Sequence, residues 1–199
     1  MPARNVIKTY VPDSYYHVYN RGVSKQTIFR DEQDYEVFLG LLKRYLSPTP
    51  TLRANRVPYP SYAGEVQLLS YCLMPNHFHL QLYQTSEEGM QLLLKSVSVA
   101  YSMYFNKKHK RVGAVFQQRY RAVRIVNDAQ LVHISRYIHM NPAQYDAWEW
   151  SSLPYYLEKQ RADWIHPYLD EGITNYRLFL KEYESRRNEL EKLKQELAG

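Results

Sequence analysis

His77 and His79 stand two residues apart in "LLSYCLMPNHFHLQLYQ", the stretch from Leu68 to Gln84. It reads as two short apolar strands broken at Met74-Pro75-Asn76. Residues two apart in a strand share a face, so both imidazoles leave the sheet together while Phe78 and Leu80 point the other way. Neutral imidazole is a common metal ligand. Two of them leave a divalent ion largely unsatisfied, so the pair alone reads more readily as two half-exposed polar side chains. Further along, Tyr137 and Asn141 are four apart, the spacing that stacks side chains on one helix face. A phenol can act as a nucleophile, and a carboxamide oxygen is a hard ligand suited to magnesium or manganese. Taken singly, Tyr137 sits at the margin of the apolar stripe Leu131, Ile134, Ile138 and reads as a core tyrosine with its hydroxyl at the rim. Asn141 precedes Pro142, where helical geometry is disfavoured.

The flanking elements must bring these groups together. "YYHVYNRG" (Tyr15–Gly22) alternates and then turns, which predicts a first strand. "DEQDYEVFLGLLKRYL" (Asp31–Leu46) is acidic at its start, basic near its end and apolar at Tyr35, Phe38, Leu39 and Leu42, the pattern of an amphipathic helix. A loop with four prolines leads to the strand pair. A second helix follows from Ser86 to the basic cluster near residue 109. "QQRYRAVRIV" predicts a strand, and "DAQLVHISRYIHMNP" a third helix capped by Asp128. "WEWSSLPYYL" reads as a turn-rich packing segment, and the tail from Thr174 as a charged helix. Strand, helix, strand, strand, helix, strand is the split βαβ order. The fold class is thus α+β, a ferredoxin-like antiparallel sheet with helices packed on one face and a C-terminal helical extension. The histidines fall on the face left open.

The chain of 199 residues fits one domain with additions, and 45% hydrophobic and 23% charged residues are ordinary globular values. Its formal charge of +6 is compatible with a polyanionic partner. Twenty tyrosines against six phenylalanines suit base stacking as well as half-buried strands. Cys72 is the single cysteine, so no internal disulfide forms, and its apolar strand makes it a small core residue. No apolar run approaches membrane-spanning length and the start of the chain lacks a signal-peptide core, so a cytoplasmic, soluble protein is expected.

The combination says more than its parts. "PNHFHL" followed by "RYIHMNP", with "YYHVYNRG", "YSMYFNKKHKRVGAVFQQRYRA" and "WEWSSLPYY" in the same order, resembles the single-tyrosine HUH transposases, and within them the REP-associated tyrosine transposases. The resemblance spans about residues 13 to 157. It implies a catalytic domain over 1–157 with an extension over 158–199, a divalent metal (Mg2+ or Mn2+), and cleavage and joining of single-stranded DNA beside a hairpin. His77 and His79 become metal ligands, Tyr137 the nucleophile, and Asn141 takes the place of a polar third ligand. Histidines before the tyrosine mark the transposase rather than the relaxase order. Position 133 is His and position 141 is Asn, so no second tyrosine lies four residues away. The family includes both monomers and homodimers.

Arg21, the run Lys107, Lys108, Lys110 and Arg111, and Arg119, Arg121 and Arg124 are candidate phosphate contacts, with solvated surface charge as the plain alternative. Ligand imidazoles must be neutral, so cleavage is expected to fall as pH drops through about 6 to 6.5. Two other readings stay open on the residues themselves. One is a non-catalytic ferredoxin-like module binding single-stranded DNA or RNA. The other is a metal-dependent hydrolase with water as the nucleophile. Only the transposase leaves a covalent protein–DNA bond.

Overall fold

Alternating apolar and polar residues at Ser14–Arg21 (β1), Val66–Met74 (β2) and His77–Gln84 (β3) make three strands, and Arg121–Ile125 (β4) adds a fourth. In this computed structural model, which describes residues 10–157, 162–168 and 175–184, they form one antiparallel sheet in the order β2-β3-β1-β4. Helices Glu32–Leu46 (α1) and Gly89–Lys108 (α2) cover one face. There Phe38, Leu42, Leu93, Val97, Tyr101 and Phe105 meet Val18, Phe78, Leu80 and Leu82, all buried. The ferredoxin-like arrangement expected from the element order is the one observed. Cys72 is fully buried, and burial pushes its thiol well up, in keeping with a core residue.

The other face carries an additional element. Helix Asp128–His139 (α3) lies over β2 and β3 on the histidine side, so the face expected to stay open is partly roofed. A β-bulge explains how it docks. Leu68 pairs with Leu82 but Ser70 pairs with Gln81, leaving Leu69 as an extra residue. Leu69 packs with Ile125 and Leu131, giving α3 an apolar anchor. Beside it Ser70 Oγ donates to Gln81 Oε1 at 2.8 Å, and Gln81 Nε2 donates to the Leu131 carbonyl at 2.7 Å. The far end of α3 is pinned through His139, whose Nε2 lies 2.7 Å from Ser152 Oγ and whose Nδ1 lies 2.8 Å from the Tyr176 hydroxyl.

Local details depart from the sequence reading. The α3 cap is Asn127, whose Oδ1 accepts the Gln130 N–H at 2.8 Å, and Asp128 is the first helical residue instead. The strand expected over 117–126 is shorter, Arg121–Ile125. The turn-rich segment holds a short helix at Leu153–Leu157 (α4) and seals the outer edge of β2, where the Leu73 N–H reaches the Trp150 carbonyl. Of the expected tail helix, 176–184 is helical and buries Tyr176 and Leu180 against Met140, Tyr145 and Tyr156; the rest lies outside the described residues, as does the expected boundary at 157/158 on its C-terminal side.

Candidate functional site

β1 ends where β3 and β4 begin. Arg21 pairs with His77 and Tyr19 with Arg121, so the chemistry-bearing residues gather at one end of the sheet. Gly22 holds that end together. Its N–H donates to the Asn76 carbonyl at 2.9 Å, and a Cβ there would sit 2.2 Å from the Gln26 carbonyl oxygen, so only glycine permits the approach.

His77 and His79 do share a face, with ring centroids 5.0 Å apart and planes nearly perpendicular. That spacing suits two imidazoles on one ion with metal–nitrogen bonds of about 2.1 Å. Each ring is held through Nδ1: His77 Nδ1 lies 2.6 Å from Asn76 Oδ1, and His79 Nδ1 lies 2.9 Å from His17 Nε2. The His77 Nε2 faces Asn141 Oδ1 at 3.2 Å. Burial lowers the His77 pKa, which favours the neutral ring, and a neutral imidazole has one N–H to give. With that hydrogen on Nδ1, toward Asn76, Nε2 and the Asn141 oxygen face one another as two acceptors. A divalent cation relieves that arrangement, and a donor set of imidazole nitrogens plus a carboxamide oxygen suits Mg2+ or Mn2+. The residues therefore fit the ion that the sequence resemblance implies.

Tyr137 comes from α3 and places its ring edge-on to His79 and His17, with centroids 5.5 and 5.8 Å apart. It is 49% exposed, more open than a core tyrosine, and so within reach of a polymer substrate. Asn141 lies beyond the end of α3, and its side chain reaches His77 after the chain turns. Other tyrosines sort by position. Tyr101 is fully buried with its hydroxyl on the Ile28 carbonyl, and Tyr104 bonds Asp34 on the α1–α2 face. Tyr19 is different: its ring centroid lies 5.7 Å from that of His79.

Two participants escaped the sequence reading, Tyr19 and His17. Both sit in "YYHVYNRG" at alternate positions of β1, which put them on one face, but nothing local said that this face meets the histidines of β3. His17 is buried, and burial pushes its pKa down to about 4. His79 is pushed down to about 3 by burial first, then by the neighbouring His17 and His77. Both rings therefore stay neutral further into acid than a free imidazole.

The basic residues separate. Arg21 and Arg121 line a cleft of about 310 Å3 with Tyr19, Asn20, His77, Gln117 and Gln118. Arg124 opposes Tyr16 on β1, so its side chain leaves the sheet on the α1–α2 side, and Arg119 precedes β4. Lys107 and Lys110 are exposed at the end of α2. Lys108 is not a free cation: it bonds Asp31 and, at 3.1 Å, Asp34. The Arg111 guanidinium lies 5.6 Å from the centre of the Phe105 ring. Among the described residues, Asp31, Asp34 and His109 are the one trio of acidic or imidazole groups with ligand atoms mutually within 4.8 Å. The Lys108 ammonium already supplies that trio with a cation.

Comparisons bear on this geometry. Residues 60–141 match the family model described as "Transposase IS200 like", a segment holding both histidines, Tyr137 and Asn141. Over those residues the chain is similar to that family, the one whose motifs the sequence resembles. In structure it is similar to a REP-associated tyrosine transposase bound to a REP hairpin, at 12% identity and a TM-score of 0.56, with 84% of this chain and 94% of that chain covered. That likeness is one of fold. A putative transposase from Deinococcus radiodurans R1 aligns at 15% identity and a TM-score of 0.40, covering 69% of this chain and 95% of that one. No curated protein matches the sequence. No helix among the described residues is long and apolar enough to cross a membrane.

Proposed function

We propose that this protein is a metal-dependent endonuclease and strand transferase for single-stranded DNA, with Tyr137 as its nucleophile. The observation that carries the reading is the convergence of Tyr137, from α3, on His79, from β3, at 5.5 Å between ring centroids. His77, His79 and Asn141 would hold the divalent ion, Mg2+ or Mn2+, which would supply positive charge to the oxygens of the scissile phosphate.

The Tyr137 oxygen forms a bond to phosphorus while the bond to the 3′-oxygen breaks. The phenolic proton leaves, and the departing 3′-oxygen ends as a hydroxyl. The product is a 5′-phosphotyrosine and a free 3′-OH, and attack by another 3′-OH reverses the step, giving strand transfer without ATP. A duplex holds its bases stacked and its backbone in a regular helix, whereas a single strand can bend into the cleft and stack its bases on exposed aromatic rings, so a single strand flanking a hairpin is the substrate. The hairpin-bound transposase of like fold supports that choice. Arg21 and Arg121, flanking His77, take phosphates of the strand near the cleavage point, with Lys107, Lys110, Arg119 and Arg124 further out. The protein acts in the cytoplasm as a monomer or homodimer, with the catalytic groups within residues 1–157.

Incubation with a library of hairpin-flanked single strands and Mn2+ tests the reading. A strand cut to a 3′-OH and a protein-linked 5′ end supports it. Binding without cutting returns the protein to the class of ferredoxin-like binding modules, and cutting without a protein-linked end to the hydrolases.

A further inference from the structure

We propose that His17 is a positioning residue of the metal site: its Nε2 accepts the Nδ1 hydrogen of His79 and leaves the His79 Nε2 lone pair for the ion. The inference rests on the metal reading above. Register explains the contact. His79 stands opposite Tyr19 and His17 opposite Gln81, so His17 reaches His79 on the diagonal of the β1–β3 ladder. The two rings are nearly parallel, at 21°, with Nε2 to Nδ1 at 2.9 Å.

Two neutral imidazoles sharing one hydrogen bond have two arrangements. If His17 donates, the hydrogen of His79 lies on Nε2, and that nitrogen cannot ligate. If His79 donates, its Nε2 is free. Only the second arrangement agrees with His79 as a ligand, and it places the His17 hydrogen on Nδ1. Asn76 serves His77 in the same manner, through an oxygen that can only accept. Carboxylates or carbonyls commonly hold ligand histidines in this way, and losing such a partner costs about 10- to 100-fold in metal affinity. His17 does not join as a ligand beside the other two. Among the described residues no three histidines bring ligand atoms within 4.8 Å of one another, whichever ring nitrogen is chosen.

The test uses the full chain without DNA. Mn2+ affinity is measured by titration calorimetry, and the imidazole tautomers by 15N NMR near neutral pH, before and after Mg2+. His17→Phe should weaken Mn2+ binding about 10- to 100-fold. His17→Gln, whose Oε1 can accept from His79, should recover most of it. In the unsubstituted chain the hydrogens should lie on Nδ1 of both His79 and His17, and Mg2+ should shift Nε2 of His77 and His79 most, with a smaller change at Nε2 of His17 as the hydrogen bond it accepts strengthens. Unchanged Mn2+ affinity in His17→Phe overturns the proposal, as does a His79 hydrogen found on Nε2, or a His17 nitrogen that shifts as far as those of His77 and His79. The NMR result needs no variant to fold. If the unsubstituted chain binds Mn2+ no better than His77→Ala, the metal reading itself fails and this inference falls with it.

Discussion

Two clusters of titratable groups lie on opposite faces of one sheet, and they are built to opposite ends. On the α1–α2 face, the Asp34 carboxylate is fully buried, and the surroundings answer it. Burial alone would raise its pKa, but hydrogen bonds from the Arg30 N–H, Lys108, His109 and Tyr104 outweigh this and hold it below the ordinary carboxylate value. On the α3 face, His17, His77 and His79 sit together with their pKa values lowered, mainly by burial, and among the described residues the cleft beside His77 is lined by Arg21 and Arg121 and by no carboxylate. The first cluster contains its own counter-ion. The second presents lone pairs, which under the proposed function take a cation from solution. Metal-capable residue types occur in both, and what separates them is that Lys108 is bonded to the carboxylates of the first, whereas Arg21 and Arg121 line the cleft beside the uncharged imidazoles of the second.

The sharpest way to break that contrast is by substitution on each side. His77→Ala or His79→Ala should remove Mn2+ binding and cleavage to below detection while leaving hairpin binding and the fold in place, as judged by calorimetry, gel assay and thermal melting. Asp34→Ala should do the reverse: it leaves the Arg30 N–H, Tyr104 and His109 without their buried partner, costs about 1–3 kcal/mol of stability, and leaves the metal affinity of the surviving fold unchanged. Loss of metal binding in Asp34→Ala with little loss of stability would transfer the centre to the acidic trio.

The two faces should also come apart with pH. His17, His79 and the fully buried His139, lowered to about 4, about 3 and about 3, bind protons when unfolded that they refuse when folded. Their contribution is therefore intact above the unfolded value near 6.5 and is lost as pH falls below it, at about 1.4 kcal/mol per pH unit for each ring. Asp34, whose folded pKa is depressed, holds its contribution down to the carboxylate range and loses it only below about 3.9. Urea melts at intervals from neutral pH to pH 4 should show a decline already under way before any carboxylate titrates. A flat profile over that interval would mean that the imidazoles are not buried neutral.

A smaller effect concerns the strand path. Arg21→Ala with Arg121→Ala should weaken single-strand binding and reduce its slope against log salt by about 0.7 per lost phosphate contact. Arg124→Ala, on the other side of the sheet, should change the slope less. Equal slopes for the double variant and the parent chain would take the cleft beside His77 off the DNA path.

Much of this was legible in the sequence because it is local. The H-x-H alternation, the amphipathic α1 and the stop at Pro142 all follow from period and punctuation within a dozen residues. What stayed hidden depends on pairing between distant segments. His17 and Tyr19 join the site only because β1 runs beside β3 in a particular register. Lys108 reads as a free cation until α2 delivers it to the start of α1, where Asp31 and Asp34 wait. The bulge at Leu69 that seats α3 has no composition signal of its own, since an extra leucine in an apolar strand looks like any other. The helix spacing singles out Tyr137, whereas nothing local brings Tyr19 into its company.

That last pair decides the account, because two phenols flank His79 at nearly equal range, Tyr137 at 5.5 Å and Tyr19 at 5.7 Å between centroids. The measurement is peptide mapping of the covalent adduct trapped with a hairpin-flanked single strand and Mn2+, run in parallel on Tyr137→Phe and Tyr19→Phe. The nucleotide should lie on the peptide containing "YIHMNP", and Tyr137→Phe should form no adduct while keeping its stability, since the ring and its packing remain. Tyr19→Phe should still form the adduct. An adduct that survives Tyr137→Phe, or that maps to "YYHVYNRG", would contradict the assignment of the nucleophile to α3.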